Sequence, residues 1–150
     1  MTDIALTFDD DLQAIDLAVE GGDLATDEGL RTAILVSLFT DARASTEDIL
    51  PQPGADRRGW WGDALAEIDG DEIGSKLWLV DREKITADAI TRAREYAVAA
   101  TAWLVDDKVA SRIEVDAEAI RPQTMALTIW VYRPTGPARQ RYDFVWDMTQ

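Results

Sequence analysis

Between residues 112 and 146 apolar and polar side chains alternate in three successive runs, a period of two that belongs to β-strands. In the first run Ile113, Val115, Ala117 and Ala119 alternate with Arg112, Glu114, Asp116 and Glu118. The second, residues 125–133, is rich in β-formers, with Leu127, Ile129 and Val131 on one face and Thr128, Trp130 and Tyr132 on the other. Pro134-Thr135-Gly136-Pro137 turns the chain, and Tyr142, Phe144 and Trp146 complete the third run. Short connections restrict such a segment to an antiparallel meander with helices over one face, and at least one of Trp130 and Trp146 should face the core.

The rest of the chain supplies that cover. Ile4-Ala5-Leu6-Thr7-Phe8 reads as a strand, Asp9-Asp10-Asp11 as a charged, solvated turn, and Ile15, Leu17 and Val19 as a second strand before Gly21-Gly22, together an N-terminal hairpin. Thr26 is placed to cap a helix whose first turn carries Asp27 and Glu28 and whose buried face is Leu30, Ala33, Ile34, Ser37 and Leu38, stopping near Asp41. Residues 43–71 are irregular, broken by Pro51, Pro53, Gly54, Gly59, Gly62 and Gly70. Ile73, Leu77 and Val80 are spaced for a short helix. Thr86 caps a longer one, Ile85 and Ile90 have the spacing of a hydrophobic staple, and Ile90, Ala93, Ala97, Ala100, Thr101 and Leu104 form its stripe to about Asp106. The expected architecture is α+β, an antiparallel β-sheet (the hairpin plus the three-strand meander) packed against two main helices, as one domain over residues 1–150.

Composition excludes much chemistry. The chain has no His and no Cys, which removes the commonest general base, the Ser-His-Asp arrangement, thiolate nucleophiles, disulfides and most zinc sites. None of Ser37, Ser45, Ser75 and Ser111 lies in a nucleophile elbow, and Gly21-Gly22 lacks the spacing and Lys of a phosphate loop. The Asp9-Asp10-Asp11 run lacks the ligand spacing of a calcium loop. No catalytic, cofactor or metal residues are therefore assigned, and no small-molecule substrate is expected. A formal charge of −14 repels phosphate backbones and anionic bilayers, so neither nucleic acid nor a membrane surface is an expected partner. That charge either keeps the protein dispersed or faces a basic partner. The first residues show no signal-peptide pattern, and no apolar run approaches a membrane span.

One stretch stands apart: Arg57-Arg58-Gly59-Trp60-Trp61-Gly62-Asp63, two bases and two adjacent indoles between glycines. Three readings stay open. Both indoles cap an irregular core, with Arg58 bonded to a carboxylate such as Asp63; or Arg58, Trp60, Trp61 and Asp63 anchor a protein interface; or the aromatics form a sugar platform.

With that loop in view the chain resembles the baseplate proteins of Mu-like contractile tails, a family related to the T-even wedge proteins that carry a "lysozyme-like" label. The matching residues run in order: Asp23-Leu24; Gly29-Leu30-Arg31-Thr32-Ala33-Ile34; Ser37-Leu38-Phe39-Thr40-Asp41; Arg58-Gly59-Trp60-Trp61-Gly62-Asp63; Gly74-Ser75-Lys76-Leu77-Trp78-Leu79 with Arg82 and Lys84; and Tyr96, Ala100, Trp103 and Leu104. The Glu-Pro-Arg signature of the wider wedge family is missing, Arg112-Ile113-Glu114-Val115 being the nearest stretch, so no role tied to it is carried over. The resemblance implies a structural subunit of a contractile tail or phage-derived injection device, in a phage or a prophage. Its implied partners are other baseplate and tail proteins, and its implied place is the virion tail baseplate, assembled in the host cytoplasm. A cell-wall glycan hydrolase and a host regulatory adaptor of the same fold are the alternatives.

Overall fold

The computed structural model describes residues 3–4, 6–9, 14–17, 19–20, 23–24, 26–27, 29–135 and 139–148. Its largest sheet is the expected meander. Strands β7 (Arg112–Arg121), β8 (Thr124–Tyr132) and β9 (Gln140–Asp147) pair antiparallel in the order β7-β8-β9, with a register irregularity between Ala119 and Arg121. The register sets Ala117, Leu127 and Phe144 in one row and Val115, Ile129 and Tyr142 in the next, so the inward residues of three strands stack across the sheet. Met125, Leu127, Ile129 and Val131 are fully buried there. Trp146 faces the same core and is buried, its ring edge-on to Phe39 at 6.2 Å between centroids, while Trp130 is half-buried on the outer face. The Gly136-Pro137 part of the connecting turn lies outside the described residues.

The remaining strands are short: β1 (Asp3–Ile4), β2 (Leu6–Asp9), β3 (Ala14–Leu17), β4 (Val19–Glu20), β5 (Asp23–Leu24) and β6 (Thr26–Asp27). They form antiparallel pairs β1-β6, β2-β3 and β4-β5, separate from the meander. The expected hairpin is thus the β2-β3 pair. Its Leu6 and Ile15 pack on the main core, and the Leu6 amide donates to the Thr32 hydroxyl, 3.1 Å away. Leu17 is exposed. Asp10 and Asp11 lie outside the described residues.

Helix α1 (Leu30–Phe39) begins later than the capping pattern predicts. Thr26 and Asp27 pair with Ile4 and Asp3 in β6, and the residue preceding α1 is Gly29 at φ 81°, a left-handed conformation that Thr or Asp adopts only at a cost. The strand pairing wins over the cap. Leu30, Ile34, Leu35 and Leu38 enter the core from this helix. Helix α2 (Ala87–Thr101) starts as its sequence predicts, the Thr86 hydroxyl accepting from the Ala89 amide. It does not run unbroken to Asp106: one residue, Ala102, separates it from α3 (Trp103–Asp106). Ala89, Ala93, Ala97 and Thr101 are fully buried, and these small residues let α2 lie close on β7. The Trp103 indole donates to the Ser37 hydroxyl at 3.0 Å, which donates onward to the Ala33 carbonyl, pinning α3 to α1.

No α-helix forms at residues 73–80. Leu77–Leu79 makes a single tight turn, and Ile73 is exposed. Gly74 explains the break: at φ 107° it lies so near the Thr40 carbonyl that any Cβ would collide with it. Ser75 beyond it bridges to Asp41, its hydroxyl donating to the Leu38 carbonyl and accepting from the Leu77 amide. Leu77, Trp78, Leu79 and Val80 are buried under α1 and α2.

Candidate functional site

The irregular segment is laid against the end of α1 by polar contacts. Asp48 accepts from the Ser45 amide (2.6 Å), the Ser45 hydroxyl (2.9 Å) and the Lys76 ammonium (2.6 Å). Burial works to raise its carboxyl, but the bonds from Lys76 and Ser45 outweigh it and hold the group below the usual carboxylate range. The Ala44 amide donates to the Arg57 carbonyl at 2.8 Å, and the Arg57 guanidinium donates to the Ser45 carbonyl. The chain is thereby delivered, tied on both sides, to Arg58.

Arg58 carries backbone strain, standing at φ 53° with its amide donating to Asp56. Its side chain reaches back: the guanidinium pairs with Asp41 at 2.8 Å and lies over the Trp78 ring, 4.5 Å from the centroid. The carboxylate that Arg58 bonds is thus Asp41 and not Asp63, the example its spacing suggests. Asp63 instead accepts from the Ile73 amide at 3.0 Å, stapling the far end of the segment to the loop. Gly59 follows at φ 109° against the Arg43 side chain.

The indoles then emerge. Trp60 and Trp61 lie 5.5 Å apart and tilted by 44°, and neither enters the core: Trp60 is 41% exposed and Trp61 75%. Trp60 folds over Gly62, where a Cβ would overlap its ring, and the short turn Trp61–Leu65 carries Trp61 outward. Core capping by both indoles is thus not what the structure places here. Arg58, Trp60, Trp61 and Asp63 share one cleft of about 410 Å³ with Glu72.

The sequence patterns missed a second cluster that shares Arg58. Trp78, whose indole donates to the Ala42 carbonyl at 2.8 Å, lines a cleft of about 270 Å³ with Asp56, Arg58, Asp81 and Arg82. Asp81 accepts from the Trp146 indole at 3.2 Å. Its burial pushes the carboxyl up to about 6, opposed by that indole and by Arg58 and Arg82, and reinforced by Asp41. Local spacing cannot signal it, because Trp146 stands 65 residues away. Among the described residues no group of three or more acidic side chains is gathered as a metal site would require, and no helix is long and apolar enough to cross a membrane.

Comparison with known proteins reaches the same residues. A profile of the family described as phage protein GP46 matches residues 30–138, from α1 through the loop and both clefts to beyond β8. The chain is 43% identical over 136 residues to the baseplate protein gp46 of Escherichia phage Mu, covering 91% of this chain and 90% of that protein. It is 38% identical over 141 residues to the Mu-like prophage FluMu protein gp46 of Haemophilus influenzae, covering 94% of each.

Proposed function

This chain belongs to the phage protein GP46 family, and from that membership we propose that it is a structural subunit of a contractile tail or phage-derived injection-device baseplate. In this reading it binds other wedge and hub proteins, takes its place at the virion tail baseplate and is assembled in the host cytoplasm. The near-full-length likeness to a protein named as a baseplate protein carries the proposal. The braced loop supports it: two indoles held outside the core by a strained, tethered backbone are costly to a free monomer and useful as interface anchors. Arg58, Trp60, Trp61 and Asp63 are the proposed contact residues, with Arg58 acting as the brace through Asp41 and Trp78.

Asp81 is the one observation that favours a second reading, a cell-wall glycan hydrolase, since a carboxyl near 6 beside a cleft suits a general acid. Its bond to the Trp146 indole supplies a structural role instead, and the proposed function includes no catalysis. Two measurements test the reading. Co-expression with the tail proteins encoded by neighbouring genes, followed by affinity capture, is expected to recover at least one of them; recovery of none contradicts the proposal. Zymography on peptidoglycan is expected to show no clearing, and clearing that vanishes in Asp81→Asn would establish the hydrolase instead.

A further inference from the structure

Half of the large hydrophobic side chains exposed among the described residues fall within 25 residues of irregular chain: Ile49, Trp60, Trp61, Leu65, Ile68 and Ile73, against six elsewhere. Residues 60–74 also hold five carboxylates (Asp63, Glu67, Asp69, Asp71 and Glu72) and no Lys or Arg. Among the described residues none of these five belongs to an ion pair. Of these six, Trp60 and Trp61 line the indole cleft, and Ile73 lines a second cleft against α1.

The fold shapes this surface. The stretch from Asp71 to Ile73, fixed by the bond between the Ile73 amide and Asp63, stands between two clefts that share Glu72. One is the indole cleft described above. The other, about 420 Å³, is lined by Ala33 and Val36 from α1, Trp103 from α3, and Ile73, among others. Its charged lining residues are Asp71, Glu72 and Asp107, without a single base. An apolar lining that also carries carboxylates with no ion pair among the described residues rejects an acidic partner through repulsion and an uncharged one through the cost of desolvating those carboxylates. A segment whose apolar residues are flanked by Lys or Arg satisfies both parts of the cleft at once.

Resting on the structural-subunit reading above, we propose that the cleft between α1, α3 and residues 71–73 docks a basic, apolar segment of a partner protein. The local carboxylates set which partner is accepted, and Ile73 with Trp103 supplies the apolar contact.

The probe is a synthetic peptide of alternating Lys and Leu turns, titrated against the intact chain, with a Lys-Ser peptide of equal charge as comparison. Asp71→Asn with Glu72→Gln is expected to weaken the Lys-Leu peptide at least about fivefold. Asp116→Asn with Glu118→Gln removes the same charge from the outer face of β7 and should change affinity less than about twofold. Ile73→Ser should weaken binding about tenfold with an unchanged melting temperature, since the side chain is exposed. Three results overturn the inference: no binding by wild type, equal losses in the two charge-removing doubles, or a Lys-Ser peptide that binds as tightly as Lys-Leu. Capture of neighbouring tail proteins by wild type and by the Asp71/Glu72 double separates the two levels. Wild-type capture that survives in the double refutes this cleft and spares the structural role, whereas failure of wild-type capture refutes the role itself.

Discussion

Asp81 is the side chain through which stability is expected to depend on pH. Its carboxyl is raised from 3.8 to about 6 in the native state, so the folded protein holds this proton more tightly than the unfolded chain does. The stabilising contribution is complete below about pH 4 and is lost as pH rises through 6, an amount of at most about 3 kcal/mol. Asp81→Asn keeps an oxygen for the Trp146 indole and removes the charge. We expect the variant to match or exceed wild type at pH 7, and the wild-type-minus-variant difference in unfolding free energy to shift between pH 4 and 6. A difference that stays flat across that range would show that Asp81 titrates normally. Arg58 shows why such pairings were not legible in the sequence. Spacing offers it Asp63, five residues on, but a left-handed backbone at Arg58 and the turn at Gly59 aim its side chain at Asp41 and Trp78, both made neighbours by the tertiary fold.

The meander was legible because a period of two leaves each strand only one face to bury, and its register follows from that choice. Trp146 and Trp130 test it directly. Trp146→Ala empties a buried site between Phe39 and Asp81 and should cost ~3–5 kcal/mol. Trp130→Ala removes a half-buried ring under the Arg139 and Arg141 guanidinium groups, for about 1–2 kcal/mol. Thermal melts of the two variants should fall in that order; the reverse order would mean the strand faces are exchanged. The start of α1 was hidden because Thr26 fits a capping pattern locally, and only the distant β1 draws it into a strand. The exposed loop behaves differently from either element. Trp61→Ala should leave stability within about 0.5 kcal/mol, and Arg58→Ala should cost about 1 kcal/mol for an exposed ion pair and a ring contact. If the loop anchors a partner, Trp61→Ala should weaken capture by at least ~2 kcal/mol. A large drop in melting temperature with capture intact per folded molecule would make Trp61 a core residue and end the interface role.

For the molecule as a whole, the β2-β3 hairpin, α1, α2 and the meander contribute to one buried cluster, and we propose that residues 1–150 unfold as one cooperative unit. In the sequence the resemblance to Mu-like baseplate proteins pointed to assembly, while the acidic field and the Arg-Gly-Trp-Trp-Gly-Asp string each left several readings open. The acid-rimmed cleft behind Ile73 was not legible, since α1, α3 and residues 71–73 meet only in the fold. The claim that the chain is a built-in part of a tail is tested most directly in the particle itself. Cells expressing the complete tail gene cluster would yield gradient-purified tails, to be probed by mass spectrometry and by immunogold labelling of this chain. The chain is expected in fixed proportion to the other tail proteins, with label at the baseplate end, and no intact tails are expected when its gene is deleted. Normal tails assembled without it, with the chain left among unassembled proteins, would show that it is not a structural part of the tail.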